Sequence, residues 1–598
     1  MAAKSIVSDI SGVVTYIIKV DGKDLPLYYG VRSIHVLKEV NKISSARIEF
    51  IDGSTTLVDS FEISNSASLI PGKEVEIQLG YQSKNKSVFK GIIVKHGLRV
   101  NRKGESILTI DCKHSAVKMT MGRYNAVYSD KKDDDIIKEV VKKHGLKATV
   151  GSTAAAFGDV IQHYTSDWDF VMMRADIHGL ATICKDDGSL EMKVPDPTAA
   201  AAIKVMPGDS MIAFQAEMDA RTQFPKVSCS SWDLQDQKVL SKSISSAKEV
   251  KAGKTTSKTL AGALGLKDYL MQTPGVLPMP YLQNYSTSKL QRSKLARIRG
   301  KITMFGYPDI QPGETIELEG MSEQFNGTCY IGGIEHNMTG GDWKMDVHLG
   351  LSAGSYSEET ADIDPPSASG MFSAMPGLCT GLVKKIDKDP DGHFRVQVTI
   401  PTLGQDNMPV WARMGHFYAT KESGLFFMPE VGDEVILGFV NEDPMNPVIL
   451  GSLYSKSKNP PLVPEDKNNI KALVTRSKCK ISFDDEKKII QIETPGGNIV
   501  TMDDDQKSIT LVDSNKNTVL MSDKGISLTT DKDIAMTAKG KITMEAKSNV
   551  EVKATGDFKA QGMNVQLKGS AKFAAEGPQA EVKGSAQTVI KGGMVMIN

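Results

Sequence analysis

The 598-residue sequence predicts a mainly β protein, and three observations carry that reading. From Gly525 onward, apolar residues recur every eight positions. Upstream, long regions alternate apolar and polar residues over short runs punctuated by turn formers. Helical patterning is confined to short stretches.

The alternation begins with Val13-Val14-Thr15-Tyr16-Ile17-Ile18, Ala46-Arg47-Ile48-Glu49-Phe50 and Val75-Glu76-Ile77-Gln78-Leu79. Turns at Asp21-Gly22-Lys23 and Pro71-Gly72-Lys73 separate these runs, which predicts a β-barrel over residues 1–120. Asp133 to His144 reads as an amphipathic helix with acids in its first turn, bases in its last and Gly145 beyond it. Asp167 to His178 reads as a second helix, capped by Ser166 or Asp167. Residues 236–268 are rich in Ser, Lys, Ala and Gly and read as a mobile loop or extended connector. Residues 295–351 are strand-like again, and Ala353 to Met371, with its Asp364-Pro365-Pro366, reads as a linker. A compact β domain follows from Gly377 to Leu453, with Trp411 and Phe439 expected as core anchors. After Asn459-Pro460-Pro461 comes a strand series near Lys480, turning at Asp484-Asp485-Glu486, Pro495-Gly496-Gly497-Asn498 and Asp513-Ser514-Asn515.

The octads place Ile526, Ile534, Ile542, Val550 and Phe558 eight apart, with Leu528, Met536, Met544 and Val552 two positions on. Side chains two apart share one side of a strand. Turn formers such as Lys539-Gly540-Lys541 and Thr555-Gly556-Asp557 fall between the pairs, and the register slips near Val565 before resuming at Val582 and Ile590. Each octad is thus one short strand and one tight turn. A coil closing on its own core needs two or three such faces, so three interwound chains bury all the apolar faces and leave open edges only at the ends. These positions are the expected trimer core of a β-prism. At ~4.8 Å per strand, about nine octads give a rod roughly 45 Å long. The alternative is a single-chain β-solenoid with capped ends; the calcium-binding nonapeptide roll fits poorly, because Gly-Gly-x-Gly-x-Asp is missing.

Composition narrows function further. Lys+Arg and Asp+Glu both number 72, so no global field points to nucleic acid or an anionic membrane. The N-terminus lacks the apolar core of a signal peptide, and no stretch reaches the ~18 apolar residues of a membrane span, so synthesis and assembly in the cytoplasm are expected. The six cysteines are scattered singly, against a structural zinc site. Ala252-Gly253-Lys254-Thr255 resembles the end of a phosphate loop, but Lys248 stands where the first glycine is needed. There is no Gly-x-Ser-x-Gly or His-Glu-x-x-His, and no histidine lies beyond His416. No catalytic, cofactor-binding or metal residue is expected. The last residues, Met594, Val595, Met596, Ile597 and Asn598, would form a blunt apolar end with unpaired backbone groups, a docking site for another protein.

Three segments share one resemblance. Ile161-Gln162-His163-Tyr164-Thr165-Ser166-Asp167-Trp168-Asp169-Phe170, with Arg174-Ala175 and Gly179, resembles the "Q-Y-x-E-S-D-x-x-F" helix start in the hub of VgrG, the tip protein of type VI secretion systems, with Thr165 where Glu is usual. Its hub-motif residues are Tyr164, Ser166, Asp167 and Phe170. Gly306-Tyr307-Pro308 through Ile316, with Phe325-Asn326-Gly327 and Gly341-Asp342-Trp343, is similar to the second barrel of that hub. Pro429-Glu430-Val431-Gly432-Asp433-Glu434-Val435, Asn441-Glu442-Asp443-Pro444 and Pro409-Val410-Trp411-Ala412-Arg413 resemble the family's OB-fold.

The resemblance implies a hub of two β-barrels with small α/β insertions over 1–352, a linker over 353–372, an OB-fold neck over 373–455 and a β-helical needle over 456–598. It implies a homotrimer without enzymatic activity, related to contractile-phage hub and spike proteins. Such a trimer would cap the Hcp tube among baseplate proteins, pierce the target cell envelope, and carry a PAAR-repeat protein and toxin effectors at its tip. The apparatus itself would release it into target cells or the medium. No lysozyme-like insertion and no effector domain is expected. A phage or extracellular particle hub–spike, and an envelope-degrading enzyme on a rod, remain the alternatives.

Overall fold

The computed structural model describes all residues except 1–3, 7–8, 54–60, 102–104, 405–408 and 598. The chain divides into two compact units, Met1–Leu453 and Tyr454–Asn598.

In the first unit the alternating runs become strands Val14–Val20, Val31–Glu39, Ser45–Ile51, Glu74–Tyr81, Lys84–Val100 and Ser106–Lys113. Their inward residues, among them Ile34, Val36, Ile48, Phe50, Ile77 and Leu79, form one core. A second core gathers Ile302, Met304, Ile316, Ile331, Ile334, Met345 and Val347 from later strands. The two barrels expected from the sequence share one fourteen-stranded sheet. The strand Gly327–Thr339 joins them: residues 333–339 pair along one edge with Val31–Glu39 and along the other with Asp342–Leu349. Near its start Gly332 is required: a Cβ there would lie 2.0 Å from the Gly350 carbonyl oxygen. In the Gly306-Tyr307-Pro308 motif a Cβ on Gly306 would overlap the Trp343 ring.

Among the described residues the first unit also holds five helices: α1 (Asp133–Lys143), α2 (Asp167–Ile177), α3 (Ser257–Ala263), α4 (Met279–Leu295) and α5 (Tyr356–Glu359). The first two start and stop where acids, caps and glycines place them. Ile136, Ile137, Val140 and Val141 of α1 pack with Trp168, Phe170, Val171 and Ala175 of α2 in a third core. Residues 236–268 differ from the expected loop. Lys238–Ile244 pairs antiparallel with Val227–Asp233, and Thr256 caps α3. Order comes from the far-away Arg297, whose buried guanidinium donates to the carbonyls of Val250 (2.8 Å), Ala252 (2.6 Å) and Thr255. Composition cannot reveal such a partner.

The five strands Cys379–Lys385, Val396–Thr399, Pro409–Met414, Glu434–Phe439 and Pro447–Ser452 close into a barrel. Its core is Val383, Val396, Val398, Ala412, Val435, Leu437 and Ile449. Of the expected core anchors, Phe439 is half-buried and packs against this core, while Trp411 is half-buried outside it; alternation turns Ala412 inward instead.

In the second unit, Ile470–Val474, Lys480–Asp484, Ile489–Glu493, Ile499–Asp503, Ser508–Val512, Thr518–Ser522 and Gly525–Thr529 form an antiparallel meander in sequence order. The predicted turns at 484–486, 495–498 and 513–515 connect its strands. Beyond residue 529 the described residues pair with no strand of the same chain. Yet the backbone bends at 531–532, 539–540, 547–548, 555–556, 563, 570–571, 578–579, 585–586 and 593–594. That is the octad period, shortened to seven residues after 563, at the expected slip near Val565, and again after 578.

Candidate functional site

The hub-motif residues converge on helix α2. Ser166 caps it, its Oγ accepting from the Asp169 amide at 3.1 Å. Tyr164, just outside, has φ +41° and is half-exposed, its amide held by Asn125 Oδ1 at 2.8 Å. Asp167 is buried: Oδ1 accepts from Gln162 Nε2 and Oδ2 bonds His144 Nε2, both at 2.8 Å. Phe170 stacks on Tyr128 with centroids 5.7 Å apart.

The other end of α2 is a buried charge network that sequence reading left unconnected. Arg174 donates to both oxygens of Asp133, from Nε at 2.6 Å and Nη2 at 2.7 Å. His178 Nε2 and the Tyr281 hydroxyl also bond Asp133 Oδ2, at 2.7 and 2.9 Å. Burial alone would raise the Asp133 pKa. Hydrogen bonds from His178 and Arg174 outweigh it and hold the carboxyl well below the usual carboxylate range. Burial, with Asp133 alongside, pushes the Tyr281 phenol up to about 12. Asp176 is paired with Arg292 of α4 and accepts from the Tyr356 amide at 2.9 Å. One eleven-residue helix thus ties α1, α4 and α5 together, its polar groups facing protein partners. This arrangement positions structure and offers no poised nucleophile or base.

Two buried histidines behave differently. His336 is fully enclosed beside Trp343, and neither of its ring nitrogens has a hydrogen-bond partner among the described residues. Burial, and then the charges of Lys38 and His35, drives its pKa well below the ordinary histidine value. His114 accepts from the Ala116 amide at 3.2 Å, and burial lowers its pKa to about 4.

In the second unit, strand register builds a two-column apolar face. One column runs Leu473, Ile481, Ile492, Val500, Leu511, Val519, Leu528; the other runs Phe483, Ile490, Met502, Ile509, Met521, Ile526. These side chains lie open: Ile490 is 40% exposed, Leu511 40% and Ile526 75%. A groove of about 610 Å³ on this face is lined by Ile492, Val500, Leu511, Val519, Leu528 and Ile534, so the first octad continues the stripe. Further on, Met536, Ile542, Met544, Val550, Val552, Phe558, Val582 and Ile590 are all more than half exposed. So are Met594, Met596 and Ile597, with Val595 at half; Asn598 lies outside the described residues. Within one chain the expected core positions share a repeat, and the chain itself does not cover them.

Comparison with known proteins places these features. The Alg8 N-terminal domain family matches residues 10–340, more than half the chain. The chain belongs to that family. Residues 379–454, which contain the closed barrel, match the type VI secretion system/phage-baseplate injector OB domain. Over 82 residues the chain is 34% identical to the actin cross-linking toxin VgrG1 of Vibrio cholerae, covering 13% of this chain and 8% of that one. Over 247 residues it is 23% identical to the type VI secretion system spike protein VgrG1a of Pseudomonas aeruginosa, 33% of this chain and 37% of the relative. These matches therefore span well under two thirds of either relative. A 43 kDa prophage tail protein from Shewanella oneidensis aligns over 57% of this chain and 99% of its own, at 11% identity and a TM-score of 0.44. The resemblance to VgrG spike proteins read from the motifs holds.

In the Alg8-type region no group of three or more His, Cys, Asp or Glu among the described residues is arranged to hold a metal. The Ala252-Gly253-Lys254-Thr255 segment is a tethered edge, Gly253 donating its amide to Asn326 O at 2.7 Å. Sequence reading missed one surface feature: around the hairpin of Ala419–Thr420 and Ser423–Gly424, Phe417 is 100% and Phe426 80% exposed. The clusters His416-Phe417-Tyr418 and Leu425-Phe426-Phe427, flanking a polar tip, were the available signal.

Proposed function

We propose that this chain is the structural tip and hub of a contractile injection apparatus of the type VI secretion kind, acting as a homotrimer. The observation that carries the reading is the apolar face from Leu473 to Leu528, paired in register and open to water within one chain, which exposed apolar octad positions continue to Ile590. Large aliphatic side chains gain about 1.5–3 kcal/mol each on full burial, so a stripe this long demands cover. Two further copies of the same stripe, wound about one axis, supply that cover and also pair the free strand edges. The match to the injector OB domain and the spike-protein relatives support the same reading.

In this account the domains are a hub (1–352), a linker (353–372), an OB neck (373–455) and a needle (456–598). The hub caps an Hcp tube and meets baseplate proteins. The needle is a cross-braced rod that transmits thrust into a target envelope. Its function is mechanical, with no reaction assigned. The exposed apolar side chains of Met594, Val595, Met596 and Ile597 suit a conical PAAR-repeat protein or a toxin effector bearing one. Neighbouring genes for an inner-membrane complex would mark a secretion system, and capsid genes a phage particle.

The test is substitution on the stripe. Ile542→Asp or Val550→Asp would set three carboxylates on a dry axis, at several kcal/mol each. Loss of the stable trimer and of release into the medium is expected; a substituted chain that still sediments as a normal trimer refutes the interwound needle. Deleting residues 593–598 should abolish retention of tip cargo and spare the trimer. Unchanged co-purification of cargo would move its loading site elsewhere.

A further inference from the structure

The segment between hub and barrel reads in the sequence as a flexible linker, but the structure fastens it at both ends. At the hub end the Tyr356 hydroxyl donates to Asp169 Oδ1 at 2.8 Å, and Lys289 Nζ bonds both oxygens of Glu358, at 2.7 and 3.1 Å. Ser355 and Glu358 form a reciprocal capping box at the start of α5. A few residues on, the Arg123 guanidinium gathers four main-chain carbonyls. It donates to Asp362 O at 2.6 Å, Ile363 O at 3.2 Å, Asp364 O at 3.0 Å and Tyr164 O at 3.1 Å. The same guanidinium sits 5.8 Å from the centre of the Tyr164 ring. A forked group with five N–H donors is the side chain able to do this; an ammonium with three is not.

At the barrel end the Met375 amide donates to Glu442 O at 2.8 Å, and Asn441 Nδ2 donates to Ser369 Oγ at 3.4 Å. The backbone on both sides of that contact is left-handed without glycine: Ala368 φ +49° and Ser369 φ +55° on the segment, Asn441 φ +52° and Glu442 φ +58° on the barrel. Such residues cost free energy individually and persist where their surroundings over-determine them. Ala368 is fully buried and Ile363 nearly so, so the segment has packing of its own.

We propose that residues 352–375 are a strap that locks the OB barrel to the Alg8-type hub as one body, with Arg123 as its pin. The carbonyls that Arg123 holds carry no side-chain identity, so the middle of the strap, at residues 362–364, depends on this one side chain for its hold on the hub, and its removal frees that stretch while hub and barrel stay folded. The contacts lie within a single chain, so the lock operates in a monomer or a trimer alike.

Arg123→Ala and Arg123→Lys in the full chain test this, read by hydrogen exchange of residues 361–372 and by elastase cleavage at Ala361 and Ala368. Both variants should exchange and be cut at least tenfold faster there, with exchange in α1, α2 and the barrel strands unchanged. Equal rates in wild type and both variants, within twofold, would overturn the lock. If Arg123→Ala fails to fold, Arg123→Lys and Tyr356→Phe decide by the same two readouts: faster opening of 361–372 supports the lock, and unchanged opening overturns it. Sedimentation of each variant separates this outcome from loss of the needle assembly.

Discussion

Replacing His336 with leucine should stabilise the hub and weaken its acid sensitivity. The wild-type ring sits wholly out of water with neither nitrogen hydrogen-bonded, so it carries a desolvation cost that nothing returns. A leucine of similar volume removes that cost, for a gain of about 1–3 kcal/mol at pH 7. A histidine with a depressed folded pKa binds protons more readily in the unfolded chain. Its contribution is therefore complete above the unfolded value near 6.5 and is lost as pH falls below it. One such histidine costs roughly 2 kcal/mol between pH 7 and 5, at about 1.4 kcal/mol per pH unit at the steep end. His114, lowered to about 4, adds a similar loss in the same window. Wild type should lose ~4 kcal/mol over that range and His336→Leu about half as much. The hub's melting transition, followed by near-ultraviolet circular dichroism at pH 5, 6 and 7, reads this as a higher midpoint and a shallower pH slope. A variant that melts lower than wild type at pH 7 and keeps the full slope would refute the reasoning.

Two further outcomes are expected. Asp133→Asn leaves the partly buried Arg174 without its counter-charge and should destabilise the α1–α2 region by about 2–4 kcal/mol, measured by hydrogen exchange; protection equal to wild type would show that the network is dispensable. A chain ending at Leu453 should stay folded and soluble, because the first compact unit has its own cores. Wholly unfolded circular dichroism would place the boundary elsewhere.

What was legible in the sequence follows from the range of the interactions. The caps and dipole charges of α1 and α2 act within a turn, so Asp133 to His144 and Asp167 to His178 could be read locally. The octads were legible because a repeat needs no knowledge of its partner. The Asp133–Tyr281 contact spans 148 positions and the strap's Arg123–Asp362 contact 239, and no local pattern announces either. Helix α4 escaped notice because its buried side mixes Ser286, Ser288, Gln291 and Ser293, bonded to other elements, among Tyr281, Leu282, Leu290 and Leu295, which blurs the apolar stripe. The Lys238–Ile244 strand was hidden by small polar residues whose order depends on pairing with Val227–Asp233.

The central claim is that three chains share one needle. Sedimentation equilibrium of the purified full chain, joined to electron microscopy of the same sample, tests it most directly. The account gives three times 64.9 kDa, about 195 kDa, and particles bearing a single straight rod. A stable 64.9 kDa monomer whose Tyr454–Asn598 unit is folded would contradict it.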